Sequence, residues 1–375
     1  MITIAYSRMC TVEVTVTESC NRNCKYCFEG NYNRHHVRDV EEEDRQVRLI
    51  ADFCMNFPRD RFDAMKIVFW GGEPMMNLDF IMKIVKATYM YDFVMYYVYT
   101  NGTMTNKWME FLDSEYVKNL ARDRLWVRLS YDGEPAQTKM RGGGRDAVKT
   151  LIERLVRDGF VVYLKATVSF SCIGDIMEAW LDYAKLQAEI PCLRFSPIFD
   201  TMVDDDSNLD LFKKEVREMA RHEYDFYLKH RFVLCDWFDA DGNQYKGRNC
   251  VDDNFICMHT DGNFYMCYGV KSMPWGSSYI LGNTKDCNDL GSMFHKWDFG
   301  EINEECATCE AVNCFVCHAG NLPYPKDIAE IEAAWHKNRN GQHKRCLYYK
   351  YLGRMNRLFW KAVEADDMSI LDEEA

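Results

Sequence analysis

Over the first two hundred residues, short β-branched or aromatic runs alternate with longer stretches whose apolar residues recur at helical spacing. The runs are residues 12–17, 66–70, 95–100, 126–130, 161–169 and 193–198. Residues 41–57, 78–91, 145–158 and 175–188 between them read as helices. Strands separated by helices pair in parallel through right-handed crossovers. The pattern therefore predicts an α/β fold, a partial (β/α)6 barrel with its chemistry at the C-terminal ends of the strands.

The alternation stops at the acidic stretch 200–206, and residues 209–229 read as a charged amphipathic helix. From about Cys235 onward, Gly-bearing turns (Asp241-Gly242, Asp261-Gly262) and cysteines replace it. A small cysteine-rich α+β domain held by ligands fits that texture. The expected division is a barrel at 1–205, a bridging helix at 206–232, the cysteine-rich domain at 233–350, and a closing helix with an acidic tail at 351–375. The closing helix itself reads as residues 346–363, and the acidic end from Glu364 as a solvated tail with no role.

Seventeen cysteines in 375 residues would mean disulfides in a small secreted domain. In a chain with this much apolar patterning, metal or cluster ligation is the better account. Cys20, Cys24 and Cys27 stand together, and nine more fall between Cys250 and Cys346. Cys10, Cys54, Cys172, Cys192, Cys235 and, inside the later group, Cys287 stand apart and read as small buried hydrophobes. A net charge of −12 and a pI near 5.3 argue against nucleic acid as a partner. The longest apolar runs, 67–70 and 94–99, fall far short of the roughly 20 residues a membrane span needs. No membrane partner and a cytoplasmic location are the resulting expectations.

Cys20, Cys24 and Cys27 follow the first strand directly, with three and then two residues between them. Three thiolates can hold three irons of a [4Fe–4S] cluster and leave the fourth open to a ligand. With His35 or His36 as a fourth ligand, the same thiols could instead form a structural zinc site. The segment as a whole, including Tyr26 before the last cysteine, resembles the CxxxCxxC motif of the radical S-adenosylmethionine (SAM) superfamily. That resemblance implies SAM chelated at the open iron and cleaved reductively to methionine and a 5′-deoxyadenosyl radical. It also implies Tyr26 and Phe28 near the adenine.

Three later elements extend the resemblance, each at a strand end. Gly71-Gly72-Glu73-Pro74 is similar to the family's GGEP element, implied to receive the SAM ammonium group through backbone and carboxylate. Thr100-Asn101-Gly102 resembles its TNG turn, and Ser130-Tyr131-Asp132-Gly133 its S-x-D-G turn. Ser130 and Arg141 are then implied to hold the SAM carboxylate, with Arg145 an alternate for the arginine. Taken by themselves, Thr100 and Asn101 also fit a simple role in shaping a turn.

Eight C-terminal cysteines suffice for two fully ligated [4Fe–4S] clusters. Their arrangement resembles a SPASM domain. By the family's interleaved ligation, Cys250, Cys257, Cys267 and Cys317 would hold one auxiliary cluster and Cys306, Cys309, Cys314 and Cys346 the other. The run from Cys306 to Cys317 could equally bind zinc or one cluster alone. The implied cofactors are SAM and three [4Fe–4S] clusters, one binding SAM and two auxiliary. The implied partners are a peptide or protein substrate and an electron donor such as flavodoxin or ferredoxin. The expected activity is oxidative modification of a side chain, as in ribosomal-peptide maturases that form thioethers or crosslinks or epimerise residues. Formylglycine formation, as in anaerobic sulfatase maturation, is the alternative. There an aspartate base follows the cysteine matching Cys267, and here Tyr268 stands in its place as a candidate base. A non-catalytic Fe–S or zinc carrier is the reading from another class, and it leaves the strand-end elements unexplained.

Overall fold

Strand β1 (Met9–Thr17) is buried along nearly its whole length, as befits a central strand of a parallel sheet covered on both faces. It belongs to a computed structural model that describes residues 8–27, 39–190, 193–199, 206–240, 254–265, 268–271, 277, 280–294, 309 and 345–373. Parallel strands β2 (Ala64–Gly71), β3 (Val94–Thr100) and β4 (Leu125–Ser130) follow on one side of β1. β5 (Val161–Val168) and β6 (Phe195–Phe199) pair in parallel with each other.

The helices between the strands are α1 (Val40–Met55), α2 (Leu78–Thr88), α3 (Thr105–Asp113), α4 (Glu115–Lys118), α5 (Ala136–Arg141), α6 (Arg145–Arg157) and α7 (Ile176–Glu189). Asp39 starts α1 by accepting from the N–H groups of Glu41 and Glu42, and three glutamates fill its first turn. One face of α1 then buries Leu49, Ile50, Phe53 and Cys54. The sequence reading did not foresee α3, α4 or α5. α3 buries only Trp108, Phe111 and Leu112 within nine residues, too few to establish a helical period.

The described residues divide into two compact units. The first takes those within 1–129, 146–162 and 251–299, and the second those within 130–145, 163–250 and 300–375. In the first unit, the cysteine-rich part contributes β7 (Phe255–Met258), β8 (Asn263–Tyr265), β9 (Gly282–Asn283) and the short helix α9 (Tyr268–Lys271). These strands add to the same sheet, in the order β4-β3-β2-β1-β7-β8-β9. β7 lies parallel to β1, with Glu13 opposite Cys257, and β8 and β9 run antiparallel beyond it. On one face of this sheet Val68, Met95 and Tyr97 pack with Met9, Tyr99 and Trp126.

The second unit is built on α7, α8 (Leu209–His230) and α10 (Arg345–Ala365). Phe212 lies among the rings of Trp237, Tyr348 and Tyr351. Glu223 is fully buried, accepting from Trp180 Nε1 at 2.6 Å and from the N–H groups of Leu234 and Cys235. Burial pushes its carboxyl up to about 7 against those donors. The acidic end is not the solvated tail expected. After α10, a turn at Met368–Asp372 buries Leu371 completely, Arg221 pairs with Asp372, and Lys361 pairs with Glu373. One apolar side chain amid the acids is enough to dock the segment.

Candidate active site

In the first unit, the cysteine loop is fastened by the ends of β2 and β3. The Gly72 N–H donates to Thr17 O at 2.8 Å, and the Glu73 N–H to Ser19 O at 2.9 Å. This approach explains both glycines. Gly71 has φ +134°, and a Cβ there would lie 2.1 Å from Thr17 O; at Gly72 it would lie 2.4 Å from Ser19 O. The close neighbour the glycines admit is the backbone leading into Cys20.

Glu73 is completely buried, and protein donors occupy both its carboxylate oxygens. Oε1 accepts from Thr100 Oγ1 at 2.8 Å and from the Met75 N–H at 3.2 Å, and Oε2 accepts from the Asn101 N–H at 2.8 Å. Every donor is neutral, so burial prevails and pushes the carboxyl up to about 7. Asn101 continues the chain of contacts. Its Nδ2 donates to Asn21 Oδ1 at 2.9 Å and reaches Cys20 Sγ at 3.8 Å, and its Oδ1 accepts from the Thr103 N–H and hydroxyl. Asn21 Nδ2 donates to Thr103 Oγ1 at 2.9 Å and closes the network.

Cys20, Cys24 and Cys27 are half-buried, and so is Tyr26 beside them. The Cys27 N–H bonds to Cys24 O at 3.1 Å, and the Arg22 N–H points at Cys20 Sγ at 3.4 Å. Burial pushes the Cys20 thiol up to about 11, the Arg22 N–H opposes that, and Glu73, Cys24 and Cys27 add to it. The three sulfurs therefore share one electrostatic neighbourhood. Among the described residues, no group of three or more His, Cys, Asp or Glu converges as a single metal ion requires. Thiolates that each hold a different iron of a cluster need no such convergence. N–H donors on sulfur and a neutral amide beside it suit an iron–sulfur cluster, so these residues fit one. His35 and His36, like Phe28, lie outside the described residues.

In the second unit, half-buried Ser130 ends β4 and begins a turn organised by Asp132. Asp132 Oδ1 accepts from the Thr167 N–H at 2.9 Å, and Oδ2 pairs with Arg141 Nε at 2.9 Å. The side chains of this pair are 1% and 9% exposed. Gln137 braces the turn, accepting from the Asp132 N–H and donating to Gly143 O. Arg145, the alternate for Arg141, pairs instead with Asp182, which also accepts from the Tyr131 hydroxyl.

Of the C-terminal cysteines, Cys257 is fully buried on β7, with its Sγ 3.8 Å from Thr15 Oγ1. Cys309 is half-buried, and so is Cys346, in the first turn of α10. Cys250, Cys267, Cys306, Cys314 and Cys317 lie outside the described residues. Tyr268 stacks on Trp70 with centroids 4.1 Å apart, Trp70 meets Tyr99 edge-on at 4.8 Å, and the Tyr268 N–H donates to Glu13. The sequence reading missed Trp70 and Tyr99. Their signal was the alternation of β2 and β3, which puts each one step before the strand-end motif.

Residues 14–186 match the model of the Radical SAM superfamily. The radical SAM cyclopropyl synthase TigE of Paramaledivibacter caminithermalis is 24% identical over 325 residues, covering 80% of this chain. The chain spans 66% of that relative's length. Native anSMEcpe with bound AdoMet and the Cp18Cys peptide has a TM-score of 0.62 at 14% identity, over 96% of this chain and all of that one. Streptococcus suis SuiB bound to the precursor peptide SuiA has a TM-score of 0.52 at 12% identity, over 81% of this chain and 70% of that one. At such identities the two structures show a common fold. No helix among the described residues is long and apolar enough to cross a membrane.

Proposed function

We propose that this chain is a radical SAM enzyme that oxidatively modifies a side chain of a peptide or protein, as a maturase of ribosomally made peptides. The observation that carries the proposal is the fastening of the three-cysteine loop by Gly71–Glu73 and Asn101. A carrier of metal or clusters has no use for two strand ends joined to its ligand loop. When bound, the cluster at Cys20, Cys24 and Cys27 supplies one electron for reductive cleavage of SAM.

The chain's own residues position the reactants. Glu73 holds the Thr100–Thr103 turn and the Gly71–Glu73 element in one arrangement. We assign the SAM ammonium group to this element, through the main chain of Gly71 and Gly72 and the Glu73 carboxylate. Tyr26 flanks the adenine in this assignment, and Asn101 steadies Cys20. Ser130 and Arg141 take the SAM carboxylate, Arg141 sharing its guanidinium with Asp132. Trp70, Tyr99 and Tyr268 offer a ring surface for a substrate side chain, and the stacking of Tyr268 suits that role better than that of a base. Auxiliary clusters are assigned to Cys250, Cys257, Cys267 and Cys317 and to Cys306, Cys309, Cys314 and Cys346, with flavodoxin or ferredoxin as electron donor.

Support for a peptide substrate comes from the two structures of like fold that were solved with peptides bound. Anaerobic reconstitution with iron and sulfide tests the reading. About twelve irons per chain are expected, with 5′-deoxyadenosine released on adding SAM and dithionite. Changing Cys20, Cys24 and Cys27 to Ala should remove about four irons and all deoxyadenosine. Iron without deoxyadenosine, or zinc in its place, would return the carrier reading.

A further inference from the structure

The turn that follows Ser130 is fastened to α7. The Tyr131 hydroxyl donates to Asp182 Oδ2, the Glu134 N–H donates to the same oxygen at 3.2 Å, and the Tyr183 hydroxyl donates to the Tyr131 carbonyl. Between them, Gly133 crosses the helix at φ +78°, where a Cβ would lie 2.8 Å from Ala179 Cα. On its other side Asp182 Oδ1 accepts from Arg145 Nε at 3.0 Å. That pairing holds the carboxylate in place and accounts for the position of Arg145 without a ligand.

These contacts are made away from water. Tyr131 and Tyr183 are fully buried, and Asp182 is 9% exposed. Burial first, and then the Asp182 carboxylate, push the Tyr131 hydroxyl far above its usual range, so it stays a donor. A hydrogen bond to a charged acceptor in such surroundings is strong and costly to break.

Alternation along the strand turns this clamp into aim. Tyr131 prolongs β4 by one residue, its N–H donating to Lys165 O at 2.9 Å. Successive residues of an extended strand project to opposite faces. A Tyr131 ring held on the α7 side therefore sets half-buried Ser130 toward the other. Asp132, next along, is held by different elements, through the Thr167 N–H and Arg141.

We infer that Asp182 is a positioning residue for the SAM carboxylate, acting through Tyr131 to direct the Ser130 hydroxyl. The inference rests on the assignment of Ser130 to that carboxylate.

The test is a double-mutant cycle on SAM affinity, measured by equilibrium dialysis with the anaerobically reconstituted enzyme. Asp182→Asn should raise the Kd for SAM about tenfold, the scale of one hydrogen bond to a charged group. Ser130→Ala should do the same. Asp182→Asn added to Ser130→Ala should weaken binding by no more than about a further twofold, because the hydroxyl it directs is already gone. Unchanged affinity in Asp182→Asn would overturn the inference. So would a full tenfold loss on top of Ser130→Ala, which would make Asp182 a general support of its unit. Tyr131→Phe breaks the same clamp at one atom; it should raise Kd about threefold and carries the cycle if Asp182→Asn does not fold. The two readings fail in different places. No SAM binding by the wild type, or no effect of Ser130→Ala, would sink the assignment of the site together with this inference, whereas a failure confined to Asp182→Asn and Tyr131→Phe leaves the proposed function standing.

Discussion

Glu73 and Asp132 are both buried carboxylates that organise a strand-end turn, one in each unit, and they are held in opposite ways. Glu73 is surrounded by neutral donors, and its carboxyl is pushed up to about 7. Asp132 has a nearly buried guanidinium as its partner. The first arrangement stores little charge and responds to pH; the second is stable as a pair and intolerant of losing one member. Four measurements can break or sharpen this contrast.

The largest effect should come from Arg141→Met, which strands the Asp132 carboxylate and costs about 3–5 kcal/mol in urea unfolding. Adding Asp132→Asn should recover more than half of that loss. A single-variant loss below about 1 kcal/mol would show that water reaches the pair after all.

Next in size is the pH dependence of stability. Glu73 and Glu223 both have folded values near 7 against an ordinary 4.5. Between those limits the native state keeps protons that the unfolded chain has released, so stability should fall as pH rises from 4.5 to 7 and level off above. Each group contributes at most about 3 kcal/mol. Glu223→Gln should flatten the slope, and an unchanged slope would mean that Glu223 is ionised throughout.

Glu73→Gln should cost about 1–3 kcal/mol, because an amide NH₂ must then face the Asn101 N–H or the Thr100 and Met75 donors. It should also broaden the electron paramagnetic resonance signal of the reconstituted cluster by loosening the Asn101 contact with Cys20. An unbroadened signal would detach Glu73 from the loop. At the small end, Lys361→Ala removes a surface pair with Glu373 and should change stability by less than about 0.5 kcal/mol. A larger change would mean that exposed pairs also matter here.

Much of this was legible in the residues. The alternation of apolar runs foretold the parallel sheet, because β-branched runs and helical periods are local signals. Cys20, Gly71 and Asn101 were recognisable as a set, and the structure brings their backbones and side chains together. What the sequence could not disclose was the direction of the contacts. The glycines at 71 and 72 could be matched to a ligand-binding element, but nothing local said that Thr17 and Ser19 would be their nearest neighbours. Likewise, nothing local in residues 255–258 says that they pair with β1. That information lies in a register across some two hundred and forty residues.

That pairing bears on how the molecule comes to be made. β1 can take β2 as a neighbour early, but its other edge stays bare until residues 255–258 leave the ribosome. In the interval it offers a row of unmet amides and carbonyls to any passing strand. A fragment ending before residue 255 keeps that edge for good and should aggregate, even with the whole cysteine loop inside it. The cysteine-rich segment is, in this sense, also a chaperone for the strand it completes.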